Sequence, residues 1–234
     1  MKILESKMNR FNDKLLTITR YVEETIEKAS SALFERDIDL LDELKDVHLK
    51  IDFMCTTLEE EAIELLGLFS PIGRELRVIS MGLKISHALQ EIGHFVSDMI
   101  KSSKILLKLP KSSIDDKLKK MINIVIEMIK ESILSYVELS MELAKDVCKK
   151  DDLVDKFYSE LKEKLMKSNV TSNNEFIRNC TLSYLLSVVE RIGDLATSIA
   201  EATYYIATGE VRRCFGDSLE ILSERIEGRK ELEG

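Results

Sequence analysis

The sequence has few of the residues that make tight turns, with 2 prolines and 9 glycines among its 234 residues. This shortage excludes an all-β sandwich, because many short strands need frequent turns. Disorder is excluded as well, since 44% of the residues are hydrophobic and 32% are charged. We therefore predict a mainly helical protein that is long enough to bury a hydrophobic core without disulfide bonds.

Cysteines are also few and lie far apart in the chain, at Cys55, Cys148, Cys180 and Cys214. No two of them form a CxxC pair or have the spacing of a zinc knuckle, and the chain is too large for a small secreted disulfide framework. We expect all four to be reduced thiols in a cytoplasmic protein.

Long hydrophobic runs are missing too. No segment approaches the roughly 18 uncharged residues that a membrane-spanning helix needs, and Glu5 stands where a signal peptide would begin its apolar segment. We therefore expect a cytoplasmic protein that meets a membrane only through its partners. The net charge of −8 and the pI near 5.2 oppose binding to a phosphate backbone, so nucleic acid is not an expected partner.

Two long segments contain neither glycine nor proline, one before Gly67 and one between Pro110 and Gly193, and each can hold uninterrupted helix. Pro71 lies in a turn, Pro110 begins a linker, and Asp37 is a candidate N-cap. The pattern predicts six long helices and a weaker amphipathic tail, near residues 6–35, 39–66, 73–108, 113–148, 150–168, 174–207 and 211–228.

The six helices form two related sets of three. Residues 40–65 align with residues 143–168, and residues 89–94 align with residues 189–194. Such internal similarity is typical of a duplicated structural unit. We therefore predict an all-α fold of two tandem, sequence-related three-helix bundles, with the first repeat in residues 1–110, the second in residues 111–210 and a C-terminal tail in residues 211–234.

The alignment places Gly93 and Gly193 at equivalent positions inside helices. A glycine there costs about 1 kcal/mol relative to alanine, so a shared structural demand is expected. We attribute both glycines to the close approach of a neighbouring helix rather than to contact with a ligand.

Two acidic couples with i,i+4 spacing stand out in the second repeat: Asp151 with Asp155, and Glu190 with Asp194. Helical phase places them on the face away from the bundle core. Like charges at this spacing destabilise a helix by about 0.2–0.5 kcal/mol per pair, and a bound divalent or trivalent cation reverses that cost. Composition alone favours a solvated acidic face, since 42 acidic residues make such couples common by chance, and it is the placement in the repeat that supports a metal site.

The first repeat carries histidines at the equivalent positions. His48 and Asp52 align with the first acidic couple, and Gln90 and His94 align with the second. This set favours either a metal site that contains histidine or surface histidines at a site that has been lost. His87 is expected to take no part.

Signatures of catalysis are absent from the sequence. Glu91 and His94 form a Glu-x-x-His motif of the kind that di-iron bundles use twice, but it occurs once and its helical phase faces outwards. There is no GxSxG motif and no glycine-rich phosphate loop. We do not expect an enzyme.

Short motifs occur at the third helix of each repeat. They are SPIGRELR (residues 70–77) and EIG (residues 91–93) in the first repeat and VERIGD (residues 189–194) in the second, followed by Ala200-Glu201, Tyr205 and Gly209-Glu210. In this order, and over nearly the whole chain, they resemble the PhoU family of phosphate-signalling regulators.

The resemblance implies two three-helix bundles in a protein that is usually a homodimer and is not an enzyme. It implies a cytoplasmic negative regulator of phosphate homeostasis that couples a phosphate ABC transporter to a sensor histidine kinase. It also implies metal ions, such as iron, zinc or manganese, bound singly or as a multinuclear cluster on E/DxxxD motifs.

The matching metal ligands are Asp151, Asp155, Glu190, Asp194 and Glu201 in the second repeat, and His48, Asp52, His94 and Asp98 in the first. The first repeat departs from the family pattern, because histidines and a glutamine replace acids. We therefore predict stronger metal binding in the second repeat, and we expect Mg²⁺ or Mn²⁺ to avoid the first.

Two other functions stay open at this point. One is a carboxylate-bridged metal-storage or redox bundle, and the other is a metal-free helical oligomerisation module. For a dimer contact, the amphipathic tail around Phe215, Leu219 and Leu222 is the candidate surface.

Overall fold

The computed structural model describes residues 2–111, 115–215 and 218–221. Within these ranges the chain forms seven α-helices and one β-hairpin. The elements are α1 (Lys2–Glu35), α2 (Ile38–Glu43), α3 (Val47–Phe69), α4 (Gly73–Leu107), α5 (Asp115–Glu138), α6 (Met141–Met166), α7 (Asn173–Thr208), β1 (Arg212–Phe215) and β2 (Ser218–Ile221).

The long helices confirm the prediction of two three-helix bundles. Helices α1, α3 and α4 pack together in the first repeat, and α5, α6 and α7 pack together in the second. Between the repeats, α4 packs on α7 and α1 packs on α5, so α3 and α6 lie on the outside. One continuous hydrophobic core runs through both repeats. The boundary predicted at residue 110 therefore divides the chain into two repeats but not into two separate cores.

Residues that favour turns and caps explain where α4 begins and where α7 begins and ends. Helix α4 follows Pro71 after Ser70 adopts a left-handed conformation. Helix α7 begins with a capping box between Ser172 and Glu175 and ends at Gly209, whose φ of 79° is left-handed. Glycine reaches this conformation without steric cost and so stops the helix there.

The predicted helices at 113–148 and 150–168 have the wrong boundary. Helix α5 ends at Glu138, Leu139 is left-handed with a φ of 54°, and the side chain of Ser140 caps α6 by accepting from the N–H of Leu143. A serine cap together with one left-handed residue makes this turn without glycine or proline. That is why a search for those two residues missed it.

The predicted helix at 39–66 is divided in the structure. Asp37 caps α2 as expected, through the N–H of Leu40. The short helix α2 ends at Glu43, and α3 begins at Val47. The backbone N–H groups of Lys45 and Val47 donate hydrogen bonds to carbonyl oxygens three residues earlier. Such bonds are typical of a tight 3₁₀-type turn, which here joins the two helices.

The predicted amphipathic tail, near residues 211–228, contains β-strands where the structure describes it. Residues 212–215 and 218–221 are paired antiparallel strands, in which Arg212 pairs with Ile221 and Phe215 pairs with Ser218. The side chains of Phe215 and Leu219, and all of Leu222, lie outside the described residues, so the tail contact predicted for a dimer stays a prediction.

The expectation of four reduced cysteines is also wrong. Cys148 of α6 and Cys214 of β1 form a disulfide bond across a sequence separation of 66. The hairpin packs against α6 and α7, which brings the two sulfur atoms together. Cys55 is a buried thiol, and Cys180 is an exposed one.

The two matched glycines turn out to have different surroundings. A Cβ atom at Gly93 would lie 3.0 Å from Ile51 of α3, which confirms the close helix approach. A Cβ atom at Gly193 would meet its nearest neighbours only at 3.6 Å, an ordinary van der Waals contact. The structural demand is therefore strong in the first repeat and absent in the second.

None of the helices in the described part of the chain is long and apolar enough to cross a membrane.

Candidate functional site

The four predicted carboxylates of the second repeat lie on adjacent helices. Asp151 and Asp155 project from α6, while Glu190 and Asp194 project from α7. Buried residues stand next to them in sequence, Val154 on α6 and Ile192 and Gly193 on α7, so the cluster lies at the edge of the packed core. We call these four side chains the acidic cluster.

The carboxylates of the acidic cluster repel one another. Burial raises the pKa of Asp151, and the charges of Asp155, Asp194, Asp152 and Glu190 raise it further, to about 7. This value lies far above the ordinary pKa of an aspartate. Asp151 is thus the member whose ionisation the surroundings oppose most.

The pKa values of the other three carboxylates of the cluster are raised as well. Burial and then Asp152 raise the pKa of Asp155. Burial followed by Asp194 and Asp155 raises that of Glu190, and burial followed by Asp155 raises that of Asp194. The α6 and α7 carboxylates therefore lie close enough to repel each other.

The side chains do not yet enclose an ion. No three His, Cys, Asp or Glu side chains among the described residues are arranged to hold a metal as they stand. Ligation at the acidic cluster would therefore require its carboxylates to rotate inwards. Asp155 and Asp194 are exposed and free to change rotamer, whereas Asp151 packs with its Oδ1 3.6 Å from the Cβ position of Gly193.

Glu201, the fifth predicted ligand, is not brought into the cluster. Its Oε2 accepts a hydrogen bond of 2.7 Å from Arg213, and its Oε1 accepts one of 3.0 Å from the backbone N–H of Cys214. The carboxylate is nearly buried, with 11% of its side chain exposed. In this structure Glu201 anchors the hairpin to α7.

The first repeat gathers a smaller set of groups that we call the histidine cluster: His48, Asp52 and His94. The Nε2 atom of His94 lies 3.4 Å from Oδ1 of Asp52, and the rings of His48 and His94 have centroids 5.9 Å apart. The Nδ1 atom of His48 is buried without a hydrogen-bond partner among the described residues. The equivalent helices thus place imidazoles where the second repeat places carboxylates.

Asp98 differs from the members of the acidic cluster because its charge is already balanced. It accepts hydrogen bonds from Lys101 at 2.9 Å and from the hydroxyl of Tyr184 at 2.7 Å. Burial alone would raise its pKa, but these two bonds and the charges of Lys101 and His94 lower it below the ordinary value. Tyr184 belongs to α7, so the two repeats meet at this point.

Tyr184 and Lys101 were not predicted as partners of Asp98. The i,i+3 spacing of Asp98 and Lys101 is visible in the sequence, but no sequence signal identifies the contact with Tyr184, which crosses between repeats. Leu49 and Phe53, two exposed apolar side chains on α3 beside the histidine cluster, were not predicted either. As predicted, Glu91, His94 and His87 are exposed, and the Glu-x-x-His motif faces away from the core.

The two clusters occupy equivalent places on the scaffold. The order of buried, half-buried and exposed positions is identical in residues 91–100 and 191–200. The model of the PhoU domain matches the chain twice, over residues 15–102 and 118–203. This chain belongs to the PhoU domain family.

Relatives in the PhoU family match it over almost their whole length. A protein from Clostridium acetobutylicum, named phosphate-specific transport system accessory protein PhoU homolog, is 32% identical over 89% of this chain and 96% of its own. A Thermotoga maritima relative, PhoU homolog 2 of the same description, is 28% identical over 93% of both chains. The crystal structure of PhoU from Pseudomonas aeruginosa has the same fold, with a TM-score of 0.82, 24% identity and coverage of 88% of this chain and 99% of that one.

Proposed function

We propose that this protein is an accessory regulator of a phosphate-specific transport system and that it acts by binding partner proteins. Membership of the PhoU family and the names of its relatives support the role in phosphate transport. The partners are subunits of a phosphate ABC transporter and a sensor histidine kinase, and the regulation is negative.

The acidic cluster is the observation that carries the binding mechanism. Four carboxylates on α6 and α7 repel one another on the outer face of the second repeat. A basic surface on a partner, or a cation between the two proteins, relieves this repulsion and makes docking favourable. The interaction therefore weakens as salt concentration rises.

The same cluster is the proposed metal site. Asp151, Asp155, Glu190 and Asp194 supply hard oxygen donors with four formal negative charges, which suits iron or manganese ions. The histidine cluster suits zinc or ferrous iron, which accept imidazole nitrogen. When bound, the metal would neutralise the face and fix the carboxylate geometry that a partner meets.

Docking can be tested with the purified transporter and kinase from the same genome as this chain. We expect the double variant Asp155→Asn with Asp194→Asn to lose binding to both. The matched control is Asp146→Asn with Glu163→Gln. It removes the same charge from α6, where each carboxylate is paired with a lysine on its own helix.

If both double variants weaken partner binding equally, net charge alone explains the effect. That result would contradict docking through the acidic cluster. Binding of neither partner by the wild-type protein, with metal supplied, would contradict the regulatory function itself. Oxygen consumption on addition of ferrous iron would instead favour a redox bundle. A metal-free protein that binds only itself would favour the oligomerisation module.

A further inference from the structure

A small cavity lies at the end of the molecule where the two repeats are joined, and it has a volume of about 30 Å³. The C-terminal turns of α1 and α4, the linker after α4 and the N-terminal turns of α5 and α7 form its walls. Three of its lining residues, Arg36, Lys111 and Arg178, are basic. None of the described residues that line it is acidic, although the chain has a net charge of −8.

Arg36 is held in place by the end of α4. Its backbone is left-handed, with a φ of 63°, and ends α1. Its Nη2 atom donates to the carbonyl oxygens of Leu107 and Leu109. A guanidinium has five N–H donors, so this anchoring fixes the group at the cavity and leaves donors for a ligand.

Arg178 supplies the second observation. Its Nε atom is buried and has no hydrogen-bond partner among the described residues. A buried donor without an acceptor is unfavourable, and such groups in native structures usually indicate a bound water or ion. The nearest acid along α7, Glu175, accepts hydrogen bonds from Thr171 and Ser172 at the helix N-terminus. Those bonds, and then the charge of Arg178, lower the pKa of Glu175, but the Nε atom of Arg178 donates no hydrogen bond to it.

Further positive charge and apolar walls complete the cavity. The Lys119 ammonium lies 5.6 Å from the ring centroid of Phe34, which lines the cavity. Apolar walls such as Leu118 lower the local dielectric constant and strengthen the attraction of the three basic groups for an anion. Guanidinium groups match the oxygen spacing of phosphate in particular.

We propose that this cavity binds a small tetrahedral oxyanion, inorganic phosphate, between Arg36, Lys111 and Arg178. The volume holds about two water molecules, which suits a small inorganic ion. Bound phosphate supplies acceptors to Arg178 and joins helix ends of both repeats through a single ligand.

This site is separate from the acidic cluster, because Arg178 and Asp194 lie 16 residues apart on α7, or about 24 Å along its axis. The inference goes beyond the proposed function, since docking through the acidic cluster does not require it. Phosphate binding by the isolated chain and partner binding by the acidic face can each fail alone.

Isothermal titration calorimetry of the full chain with inorganic phosphate, in chelator-treated buffer at moderate salt, tests the site. We expect saturable binding with one phosphate per chain. Arg178→Gln and Lys111→Gln should each weaken it by about tenfold or more, since each removes a charge-assisted contact. Lys111 is exposed, so its variant tests the site without risk to folding. The matched control is Arg191→Gln, which removes the same charge from an exposed position of α7 and should leave the affinity unchanged.

Competition distinguishes free phosphate from a phosphoryl group on a larger molecule. Sulfate should displace phosphate, whereas ATP should not. Absence of saturable binding, equal weakening by Arg178→Gln and Arg191→Gln, or tighter binding of ATP than of phosphate would each overturn the proposal.

Discussion

Each repeat ends its first helix with one left-handed residue followed by a polar cap, Arg36 and Asp37 in the first repeat and Leu139 and Ser140 in the second. The third helices share the same order of buried and exposed positions over ten residues. The backbone plan and the packing surface of the two repeats are therefore closely alike.

The two repeats differ in the side chains that they place on the outer face of this shared backbone. In the histidine cluster, Asp52 lies beside His94, and nearby Asp98 is balanced by Lys101. In the acidic cluster, repulsion raises the pKa of Asp151 to about 7. Helical phase determines which positions reach the outer face but not the residue types placed there, so a duplicated scaffold can hold two sites of different ligand chemistry.

The largest expected effect concerns a feature that only the second repeat has, the disulfide between Cys148 and Cys214. For a separation of 66 residues, the chain-entropy model gives about 4 kcal/mol of stabilisation. We expect Cys214→Ser, or reduction of the wild-type protein with dithiothreitol, to lower the melting temperature by about 8–16 °C. Thermal melts followed by circular dichroism measure this change.

Cys180→Ser is the control for the disulfide, because Cys180 is an exposed free thiol. Its melting temperature should match that of the wild type and should fall equally on reduction. If the wild-type protein melts at the same temperature with and without reductant, the disulfide does not stabilise the hairpin against α6.

The next effect is on metal binding. Asp155→Ala with Asp194→Ala should weaken metal affinity by about a hundredfold, roughly 2.7 kcal/mol, because it halves the charge of the acidic cluster. His48→Ala with His94→Ala should leave most of the metal in place. Metal per chain, measured by elemental analysis after purification without chelator, compares the two double variants.

The pH dependence of metal binding is a second test of the acidic cluster. Metal binding needs ionised carboxylates, and the surroundings raise the pKa of Asp151 to about 7, so metal in the acidic cluster should be lost progressively as pH falls below about 7. Full metal content in the double aspartate variant, with loss in the histidine variant, would reverse the predicted order of the two sites.

Much of the helical plan follows from the sequence, because apolar periodicity and caps act locally. The break at Leu139 does not follow from glycine or proline, since neither is present there. The internal repeat does contain the signal: extending the alignment of residues 40–65 with 143–168 backwards by three residues places Ser140 opposite the N-cap Asp37.

Other features depend on contacts between distant residues. The disulfide could not be inferred, because cysteine spacing does not give connectivity and the hairpin that carries Cys214 must first pack on α6. For the same reason Glu201 could be placed on the correct helix, but its engagement with Arg213 could not be foreseen. The positions of the acidic cluster were accessible, since i,i+4 spacing and the repeat alignment are both local patterns.

A smaller effect is expected on stability without metal. Because the folded protein holds the proton of Asp151 more tightly than the unfolded chain does, stability should fall as pH rises from about 4 to about 7. Asp151→Asn should remove this loss and raise the unfolding free energy at pH 8 by about 1–2 kcal/mol, a value reduced by solvent screening.

Urea unfolding at pH 5 and pH 8, with chelator present, measures the Asp151 effect. Asp152→Asn, an exposed neighbour, is the control and should change stability by less. Greater stability of the wild-type protein at pH 8 than of Asp151→Asn would mean that the carboxylate is stabilised by a partner rather than repelled.

The smallest effect compares the two matched glycines directly. Gly193→Ala places its methyl group at ordinary contact distance, 3.6 Å from Asp151 and Met128, so the gain in helix propensity should stabilise the protein by about 0.5–1 kcal/mol. Gly93→Ala brings its methyl group to 3.0 Å from Ile51, and overpacking costs of about 1–3 kcal/mol should cancel or exceed the same gain. Urea unfolding of both variants at one pH, with chelator present, gives the two changes. If they have the same sign and size, the packing of α3 on α4 is no tighter at Gly93 than the packing around Gly193.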